Sequence, residues 1–271
     1  MQTQYVRLNN GIEIPLAGLV TWGMRGDECV RSVAAALHLG YRLIDTAQMY
    51  ENETEVGKGI RQSGVSRDEL FITTKIYRVS NSYEKTAKAI DASLRRLGTD
   101  YVDLLLLHEP YAQESELYRA LQDALKSGKA RAIGISNYDE PHYANFLRNC
   151  GIVPAVNQLE AHVYYQKWAF QKAMLTQGTV MQAWAPLAQG IDRIAEHPLL
   201  SEIGAHHGKT AAQVALRFLV QRGIPVIPKS RSEERLRENL AIFDFCLRDE
   251  EMNSIRTLDR NDTLFPWTNE F

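Results

Sequence analysis

Four polar residues, Asp45, Tyr50, Lys75 and His108, follow or end short apolar runs and together have the side chains that carbonyl chemistry needs. The segment DTAQMYENE places the Asp45 carboxylate five residues before the Tyr50 phenol. A phenol has a pKa near 10, so it is a poor acid at neutral pH unless a nearby cation lowers that pKa. Lys75 could supply the cation, and Asp45 could keep the ammonium group charged and in place.

His108 could donate a hydrogen bond to a substrate oxygen and hold that oxygen against the Tyr50 hydroxyl. Such an arrangement suits proton donation to a carbonyl oxygen that acquires negative charge. Reduction of the carbonyl also needs a hydride, which a nicotinamide cofactor supplies and a side chain does not. Each residue alone has a structural interpretation, such as a helix cap, a solvated charge or a hydrogen-bonded histidine. If all four converge at one end of one fold, a catalytic role becomes the favoured interpretation.

Short apolar runs alternate with helical patterns along nearly the whole chain. Several runs, such as YVDLLLLH and ARAIGIS, are almost continuously apolar. Strands that are buried on both faces have this composition, as in a parallel sheet covered by helices. The predicted strands are Leu16–Val20, Arg42–Asp45, Leu70–Lys75, Val102–His108, Ala130–Ser136, Ala155–Glu160, Thr179–Ala183 and Ile224–Pro228.

The segments between these runs have the spacing of amphipathic helices. In YEKTAKAIDASLRRLG, one apolar stripe runs from Ala87 to Leu97. The segment LYRALQDALKSGK has the same pattern and stops at Gly128, which predicts a helix C-terminus there. Asn52–Glu55 reads NETE, which has the N-cap and N3 residues of a capping box and predicts a helix start.

Eight strand candidates alternate with helices, without a break rich in proline, glycine or serine. This order predicts an α/β fold, a closed (β/α)8 TIM barrel that spans residues 1–271 as a single domain. A doubly wound open sheet is the alternative, but it usually carries GxGxxG after its first strand, and no such match occurs. Reactive groups of a barrel lie at the C-terminal ends of its strands, where Asp45, Lys75 and His108 are placed.

The composition argues against several other classes of protein. A net charge of -2 is unsuited to nucleic acid, because phosphate binding needs concentrated Lys and Arg. The cysteines Cys29, Cys150 and Cys246 are widely spaced without a CxxC pair, which suits reduced thiols in a cytosol. His206 and His207 lack other obvious ligands, so no metal site is expected. With neither a signal sequence nor an apolar run of about 18 residues, we expect a cytoplasmic protein that does not bind a membrane.

At these residues the chain resembles the aldo-keto reductases, in particular short-loop members of bacterial type. Asp45, Tyr50, Lys75 and His108 match the catalytic tetrad of that family in residue type, order and strand position. The resemblance extends over essentially the whole chain, from GLVTW near the N-terminus to RLRENL near the C-terminus. It implies that Tyr50 is the proton donor, that an N-terminal β-hairpin closes the bottom of the barrel, and that the protein is a monomer.

The resemblance also implies a cofactor, NADPH or NADP+, with NADPH preferred over NADH. Lys229, Arg231 and Arg235 form a basic cluster at the last strand-to-helix junction, where helix amides and the helix dipole favour an anion. For the nicotinamide half, the resemblance implies contacts of Ser136, Asn137 and Gln158 with the carboxamide and of Trp184 with the ring, with Leu187 and Gln189 near the pyrophosphate. For the adenosine half, it implies Lys229, Ser230 and Arg235 around the 2'-phosphate and Glu238 and Asn239 with adenine. The other expected cofactor-binding residues are Thr21, Trp22, Asp45, Pro186 and Arg231.

The substrate pocket is expected to be walled by Trp22, Met49, Tyr77, His108 and Glu109. Family members usually have tryptophan after the catalytic histidine, whereas this chain has Glu109 in LLHEPY. If Glu109 faces inward, it would disfavour acidic substrates and could attract polar or cationic ones; if it turns to solvent, the pocket is wider. The short loop after His108 and the short C-terminal tail suggest an open site for small aldehydes, dicarbonyls or sugar-derived ketones.

An NADPH-dependent carbonyl reductase, acting on a small-molecule substrate, is thus the predicted function. A cofactor-binding redox sensor or interaction module on the same barrel is the alternative, because a fold alone does not give a function. The intact tetrad argues against the sensor, which could lose Tyr50 or Lys75 without losing cofactor affinity. A barrel enzyme of another kind would have to explain both the tetrad and the basic cluster.

Overall fold

The computed structural model describes residues 4–269, and its central element is a parallel sheet curled into a barrel. Its seven strands pair in chain order, each parallel to the next, and two strands near the N-terminus pair in a separate antiparallel hairpin. The seven strands of the barrel coincide with predicted runs to within two residues. The strands are β1 (Tyr5–Arg7), β2 (Glu13–Pro15), β3 (Gly18–Val20), β4 (Leu43–Asp45), β5 (Phe71–Ile76), β6 (Val102–Leu107), β7 (Ala130–Ser136), β8 (Val156–Glu160) and β9 (Val180–Trp184).

The eighth predicted strand, Ile224–Pro228, closes the barrel without forming a regular strand. Val226 pairs with Ala17 on one side and with Ala183 on the other, each through an isolated parallel bridge. Backbone hydrogen bonds of 2.8 to 3.2 Å support these bridges. Two of the five residues in the segment are prolines, which have no N–H to donate, so a longer ladder cannot form. The predicted α/β barrel is confirmed.

The α-helices lie outside the sheet and pack their apolar faces against it. Leu117 and Leu121 of one helix share a continuous core with outward-facing strand residues such as Leu105. That helix ends just before Gly128, whose φ of 76° gives the left-handed turn predicted there. No helix within residues 4–269 is long and apolar enough to span a membrane. The helices are α1 (Gly26–His38), α2 (Glu53–Ser63), α3 (Tyr83–Leu97), α4 (Glu114–Lys126), α5 (Glu140–Leu147), α6 (Trp168–Thr176), α7 (Pro198–His207), α8 (Ala211–Gln221), α9 (Glu233–Leu240) and α10 (Asp249–Arg256).

The alternation of side chains along each strand decides which residues enter the barrel. Leu43, Phe71, Leu104, Ala132 and Val156 belong to an apolar cluster that fills its lower part. Residues two or four positions further along these strands point the same way, but they are polar and lie nearer the upper end, where the strands have their C-termini. These buried residues are Asp45, Thr73, Lys75, His108, Ser136, Gln158 and Glu160.

Helix α2 begins where the sequence predicts, but the predicted capping box is wrong. Asn52 precedes Glu53 as the N-cap residue, and its side chain makes no capping hydrogen bond. The side-chain amide instead accepts a hydrogen bond from Thr46 Oγ1 at 2.8 Å and donates to the backbone oxygens of Thr21 and Met24. Asn52 therefore joins the loops that follow β3 and β4, and this long-range role takes precedence over the local cap.

The N-terminal hairpin covers the lower end of the barrel, as predicted. Leu8 and Ile14 are buried in the lower apolar cluster. The Asn10 side chain donates a hydrogen bond of 2.8 Å to the backbone oxygen of Arg131, near the start of β7. Apolar burial and hydrogen bonding together fix the hairpin at the end opposite to the polar residues.

Candidate active site

Asp45 and Lys75 form a buried ion pair inside the upper end of the barrel. Lys75 Nζ donates a hydrogen bond to Asp45 Oδ1, and the two side chains are 1% and 0% exposed. Gln158 Nε2 donates to Asp45 Oδ2 at 2.7 Å. Burial raises the pKa of the Asp45 carboxyl, and Lys75 and Gln158 oppose that rise. Burial alone would lower the pKa of Lys75, but the neighbouring Asp45 and Tyr50 raise it, so the ammonium group stays charged.

The Tyr50 hydroxyl lies next to this ammonium group. Lys75 Nζ is 3.1 Å from Tyr50 OH, within hydrogen-bond distance. Burial raises the pKa of Tyr50 above its usual value, and this effect exceeds the lowering by Lys75. The net shift is therefore opposite to the one that the sequence suggested, because the phenol is buried with the cation. Tyr50 keeps its proton at neutral pH, as a proton donor must.

His108 follows β6 and stands beside the phenol. Its ring centroid is 5.7 Å from that of Tyr50 and 6.2 Å from that of Tyr77. Burial, together with Lys75 and Arg78, lowers the pKa of His108 well below its usual value. The imidazole is therefore neutral at pH 7 and has one N–H to donate. Within residues 4–269, its buried Nδ1 has no hydrogen-bond partner.

The neutral state of His108 predicts a loss of stability in acid. The unfolded chain binds a proton at this histidine near pH 6.5 and the folded protein does not, so unfolding takes up a proton below that pH. The free energy of unfolding should fall by up to about 1.4 kcal/mol per pH unit below ~6.5. Urea unfolding of the wild type and of His108→Gln at about pH 7 and about pH 5 measures the effect. The variant should lose less stability between the two pH values, and an equal loss would contradict the assignment.

Tyr50 is positioned by a single turn of 3-10 helix, Gln48–Tyr50. The Gln48 side chain accepts a hydrogen bond from the Tyr77 backbone N at 3.1 Å and donates to Ser93 Oγ at 3.0 Å. The next residue, Glu51, has a φ of 52°, and this left-handed turn leads the chain into α2. The turn is thus tied to β5 and α3, which fixes the direction of the phenol.

Three predicted nicotinamide contacts, Ser136, Asn137 and Gln158, are brought together at the ends of β7 and β8. Ser136 Oγ donates a hydrogen bond to the Gln158 backbone oxygen at 2.9 Å. Asn137, with a φ of 63°, donates to the His108 backbone oxygen at 3.0 Å and accepts from Trp184 Nε1 at 2.9 Å. These three residues therefore belong to one hydrogen-bonded network with the tetrad.

Trp184 ends β9 and is covered by aromatic residues of the C-terminal segment. The Trp267 ring stacks on it with centroids 5.6 Å apart and planes inclined by 18°, and the Phe265 ring meets it edge-on at 5.0 Å. The segment is anchored by the buried Glu160, whose carboxylate accepts a hydrogen bond of 3.0 Å from the backbone N of Leu264. The tail therefore packs at the upper end of the barrel.

The basic cluster lies where the sequence predicts, around the N-terminus of α9. Lys229, Arg231 and Arg235 are all exposed. Arg231 is bound to the protein itself, because its Nε pairs with Glu28 at 2.9 Å and its Nη2 donates to the Gly23 backbone oxygen at 2.7 Å. Arg231 thus links this cluster to the loop after β3 and to α1, while the side chains of Lys229 and Arg235 face solvent.

The neighbouring predicted adenosine contacts have partners of their own. Ser230 is buried, and its Oγ donates to the Ser232 backbone oxygen at 3.1 Å. Glu238 accepts a hydrogen bond of 2.6 Å from Thr210 Oγ1 at the start of α8. Asn239 is buried in the same helix. Ser230 thus lies in the turn before α9, and Glu238 and Asn239 lie near the C-terminal end of that helix.

The loop between β9 and α7 contains Pro186, Leu187 and Gln189. Pro186 is buried, Leu187 packs on the core, and Gln189 is exposed. Gln189 has a φ of 52°, and four other non-glycine residues between positions 185 and 193 are also left-handed. The loop therefore keeps an irregular path beside Trp184 at the upper end.

The predicted pocket walls follow β3, β4 and β5. Thr21 is buried and its Oγ1 donates to the Asp45 backbone oxygen at 3.1 Å, whereas Trp22 is 44% exposed. Lys229 Nζ lies 4.9 Å from the centroid of the Trp22 ring. Met49 and Tyr77 are half-buried. Of these predicted pocket walls, Trp22 is the most exposed to solvent.

Glu109 forms an ion pair with Arg78. Arg78 Nη2 lies 3.1 Å from Glu109 Oε1, and the Glu109 side chain is only 8% exposed. The carboxylate is therefore covered, and its charge is compensated. This arrangement is neither the free inward-facing acid nor the solvent-facing one that the sequence left open.

Several residues of the site were not predicted from the sequence. Gln182 accepts a hydrogen bond of 2.9 Å from Gln158 Nε2. Its position two residues before Trp184 could have identified it, because alternation along a strand gives both side chains the same direction. Glu160 could have been identified in the same way, because it lies two residues after Gln158 in β8. Arg78 had no comparable local signal, since its partner Glu109 is distant in the sequence.

The fold and the polar group at its upper end define a barrel enzyme, and comparison with known proteins identifies its family. The sequence model of the Aldo/keto reductase family matches residues 16–260. The chain belongs to this family of oxidoreductases. It is 42% identical to the glyoxal reductase of Bacillus subtilis over 263 residues, which cover 96% of this chain and 95% of that protein. It is 40% identical to an aldo-keto reductase of Mycolicibacterium smegmatis over 264 residues, with the same two coverages.

Solved structures agree with this assignment. MGS-M4, an aldo-keto reductase from a deep-sea metagenome library, superposes with a TM-score of 0.93 at 39% identity and covers 96% of this chain and 97% of its own. An aldo-keto reductase of Bombyx mori in complex with NADP has a TM-score of 0.92 at 31% identity, covering 98% and 95%.

Proposed function

We propose that this protein reduces aldehydes or ketones to alcohols with NADPH as the hydride donor. The observation that carries the proposal is the buried contact of Lys75 with both Asp45 and Tyr50 beside the His108 ring. Burying an ion pair contributes little net stability, because apolar residues of similar size often serve as well. An ammonium group held against a phenol does, however, stabilise the phenolate that proton donation leaves.

In the proposed reaction Tyr50 donates its proton to the carbonyl oxygen as negative charge develops there. Lys75, 3.1 Å from the phenol oxygen, then stabilises the phenolate. Asp45 keeps Lys75 charged and fixed. The neutral His108 donates a hydrogen bond that orients the carbonyl oxygen. Burial of all four side chains limits the access of water to the charges that form.

The residues around this group fit a nicotinamide dinucleotide. Asn137 and Gln158 place amide groups beside the tetrad, and these suit a carboxamide. Lys229 and Arg235 are exposed cations around the start of α9, where helix amides also favour an anion. Bound there, the cofactor would supply the hydride. The NADP complex of the Bombyx mori relative supports NADPH as this cofactor.

The 2'-phosphate assignment predicts a selective loss of NADPH affinity in Arg235→Ala. We expect the dissociation constant for NADPH to rise by about tenfold, because a charge-assisted hydrogen bond is lost, and that for NADH to change little. Fluorescence titration measures both constants. Arg237→Ala, on the same helix and paired with Glu233, is the control and should affect neither cofactor. An equal loss for both cofactors would mean that another group holds the 2'-phosphate.

We propose small aldehydes, dicarbonyls or sugar-derived ketones as the substrates. Trp22, a proposed pocket wall, is 44% exposed, which supports a pocket that is open to solvent. The Bacillus subtilis relative is named glyoxal reductase, which supports a dicarbonyl. A Pseudomonas putida relative, 39% identical over 96% of this chain and 93% of its own, is named morphine 6-dehydrogenase. Identity at this level therefore does not fix the substrate.

NADPH oxidation, followed by absorbance with a panel of such carbonyl compounds, tests the proposed function. Turnover that depends on Tyr50 and prefers NADPH to NADH is the expected result. Tight NADPH binding without turnover of any compound would favour a cofactor-binding sensor instead.

A further inference from the structure

The ends of β5 and β6 carry a charged pair that the proposed reaction does not use. Ile76 lies opposite Leu107 in the parallel register, so Arg78 and Glu109, each two residues further on, project side by side. Their side chains form the 3.1 Å ion pair described above, with the Glu109 side chain 8% exposed and that of Arg78 60% exposed. The acid is therefore the covered partner, and the guanidinium is the partner that faces solvent.

The exposed member of this pair is the cation, whereas the sequence indicated only an acid beside the pocket. Burial raises the pKa of the Glu109 carboxyl, and Arg78 opposes that rise by pairing with it. A guanidinium has five N–H donors in a planar fork, so one contact with a carboxylate leaves donors available. The exposed surface beside the tetrad is therefore cationic at Arg78, although the sequence replaces the family's usual tryptophan with an acid.

Arg78 is connected to Tyr50 through successive contacts between neighbouring rings. The Tyr50 and His108 centroids are 5.7 Å apart, and those of His108 and Tyr77 are 6.2 Å apart. The guanidinium carbon of Arg78 lies 5.2 Å from the Tyr77 centroid. Tyr77 thus contacts both the His108 ring and Arg78, so a substrate whose carbonyl oxygen contacts Tyr50 and His108, and whose remainder extends over Tyr77, would approach Arg78.

Two groups near Arg78, the phenol of Tyr111 and the side chain of Val79, carry no charge. Tyr111 follows the loop from Glu109, and its hydroxyl donates to the Ile76 backbone oxygen at 3.2 Å. Burial raises the pKa of Tyr111, so this phenol carries no charge at neutral pH. Val79, next to Arg78 in the chain, is 69% exposed. Glu109 pairs with the Arg78 guanidinium and engages only some of its N–H donors.

We propose that Arg78 is a specificity-determining residue that binds an anionic group on the substrate. The preferred substrates are then carbonyl compounds that carry a carboxylate or a phosphate, because the planar guanidinium fork suits both anions. Glu109 fixes the guanidinium before substrate binds, which reduces the freedom lost on binding. This inference rests on the proposed carbonyl reduction and specifies its substrate class.

Matched substrates test the proposal. Succinic semialdehyde is compared with butanal, and glyceraldehyde 3-phosphate with glyceraldehyde, so that each pair differs in one anionic group and the two pairs distinguish carboxylate from phosphate. In the wild type, kcat/KM should favour the anionic member of at least one pair. Arg78→Gln should lower kcat/KM for that member by about tenfold and leave the neutral member within about twofold. Added salt should weaken the wild-type preference.

Two further variants separate recognition from damage to the fold. Arg78→Lys keeps the charge without the planar fork and should retain part of the preference. Arg95→Gln removes an exposed charge from α3, on the outside of the barrel, and should leave every substrate unchanged. If Arg78→Gln lowers kcat/KM equally for both members of each pair, or for no member of either pair, the proposal is overturned.

A binding measurement distinguishes failure of this inference from failure of the proposed reaction. Calorimetric titration with 4-hydroxybutyrate, the alcohol product of succinic semialdehyde, requires no turnover and is run with NADP+ present. Arg78-dependent binding without reduction of any aldehyde would support the anion site and overturn carbonyl reduction. A second outcome would overturn the anion site alone. In that case the enzyme reduces butanal, but Arg78→Gln changes neither the binding of 4-hydroxybutyrate nor the preference within either substrate pair.

Discussion

Replacement of Tyr50 by phenylalanine is expected to lower kcat by about a thousandfold, because the reaction loses its general acid. NADPH binding should change by less than about twofold, since the phenol is proposed to act on the substrate. Phenylalanine keeps the ring that stands beside His108 and removes only the oxygen that lies 3.1 Å from Lys75. Lys75 retains its contacts with Asp45 and with the backbone oxygen of Thr46, so its charge remains compensated.

Steady-state NADPH oxidation and fluorescence titration of NADPH measure these two effects of Tyr50→Phe. Tyr83→Phe is the matched control, because it removes a phenol oxygen that contacts Asp123 at 2.8 Å between outer helices. The control should keep wild-type turnover. If Tyr50→Phe also kept wild-type turnover, the assignment of Tyr50 as the acid would be refuted. If Tyr50→Phe lost both turnover and NADPH binding, the result would indicate a damaged site instead.

Replacement of Lys75 by methionine is expected to abolish turnover and to lower the free energy of unfolding by about 3–5 kcal/mol. The side chains of Lys75 and Asp45 are almost fully buried, so removal of the cation leaves a carboxylate without its partner in the barrel. Gln158 still donates one hydrogen bond to Asp45, but an amide does not compensate the charge. Urea unfolding measures the loss of stability.

The double variant Asp45→Asn/Lys75→Met separates the energetic role of the ion pair from its chemical role. Without either charge, most of the lost stability should return, because a buried ion pair and a neutral pair of similar size are often equally stable. Turnover should not return, since the phenolate would have no cation beside it. A double variant no more stable than Lys75→Met would show that the two charges are not energetically coupled.

The barrel and the group at its upper end could be predicted because both depend on patterns along single strands. Near-continuous apolar runs specify strands that are buried on both faces. The period of two then gives Asp45 and Leu43 the same direction, and likewise Lys75 and Phe71. Once the strands are parallel and adjacent, these polar residues meet at one end. The order of residue types along the chain therefore carried most of the information.

What the sequence could not provide depends on contacts between distant elements. Asn52 has the local signature of a cap, but its amide joins the loops that follow β3 and β4. The pairing of Arg78 with Glu109 follows from the register of β5 and β6, which no local pattern reveals. The pKa of Tyr50 depends on how deeply the phenol is buried, and burial reversed the shift expected from Lys75 alone.

The barrel closes at a seam, the segment around Val226 that pairs with Ala17 and Ala183, and this seam connects local opening of the barrel with cofactor binding. Single bridges join Val226 to its neighbours, whereas β6 and β7 pair at five positions. Amides in short pairings exchange with solvent through low-energy fluctuations that leave the rest of a domain folded. The segment at this seam leads directly into Lys229, which is proposed to bind the 2'-phosphate of NADPH. A phosphate bound at Lys229 would therefore oppose local opening of the seam. Hydrogen exchange at the seam would then report cofactor occupancy without any turnover.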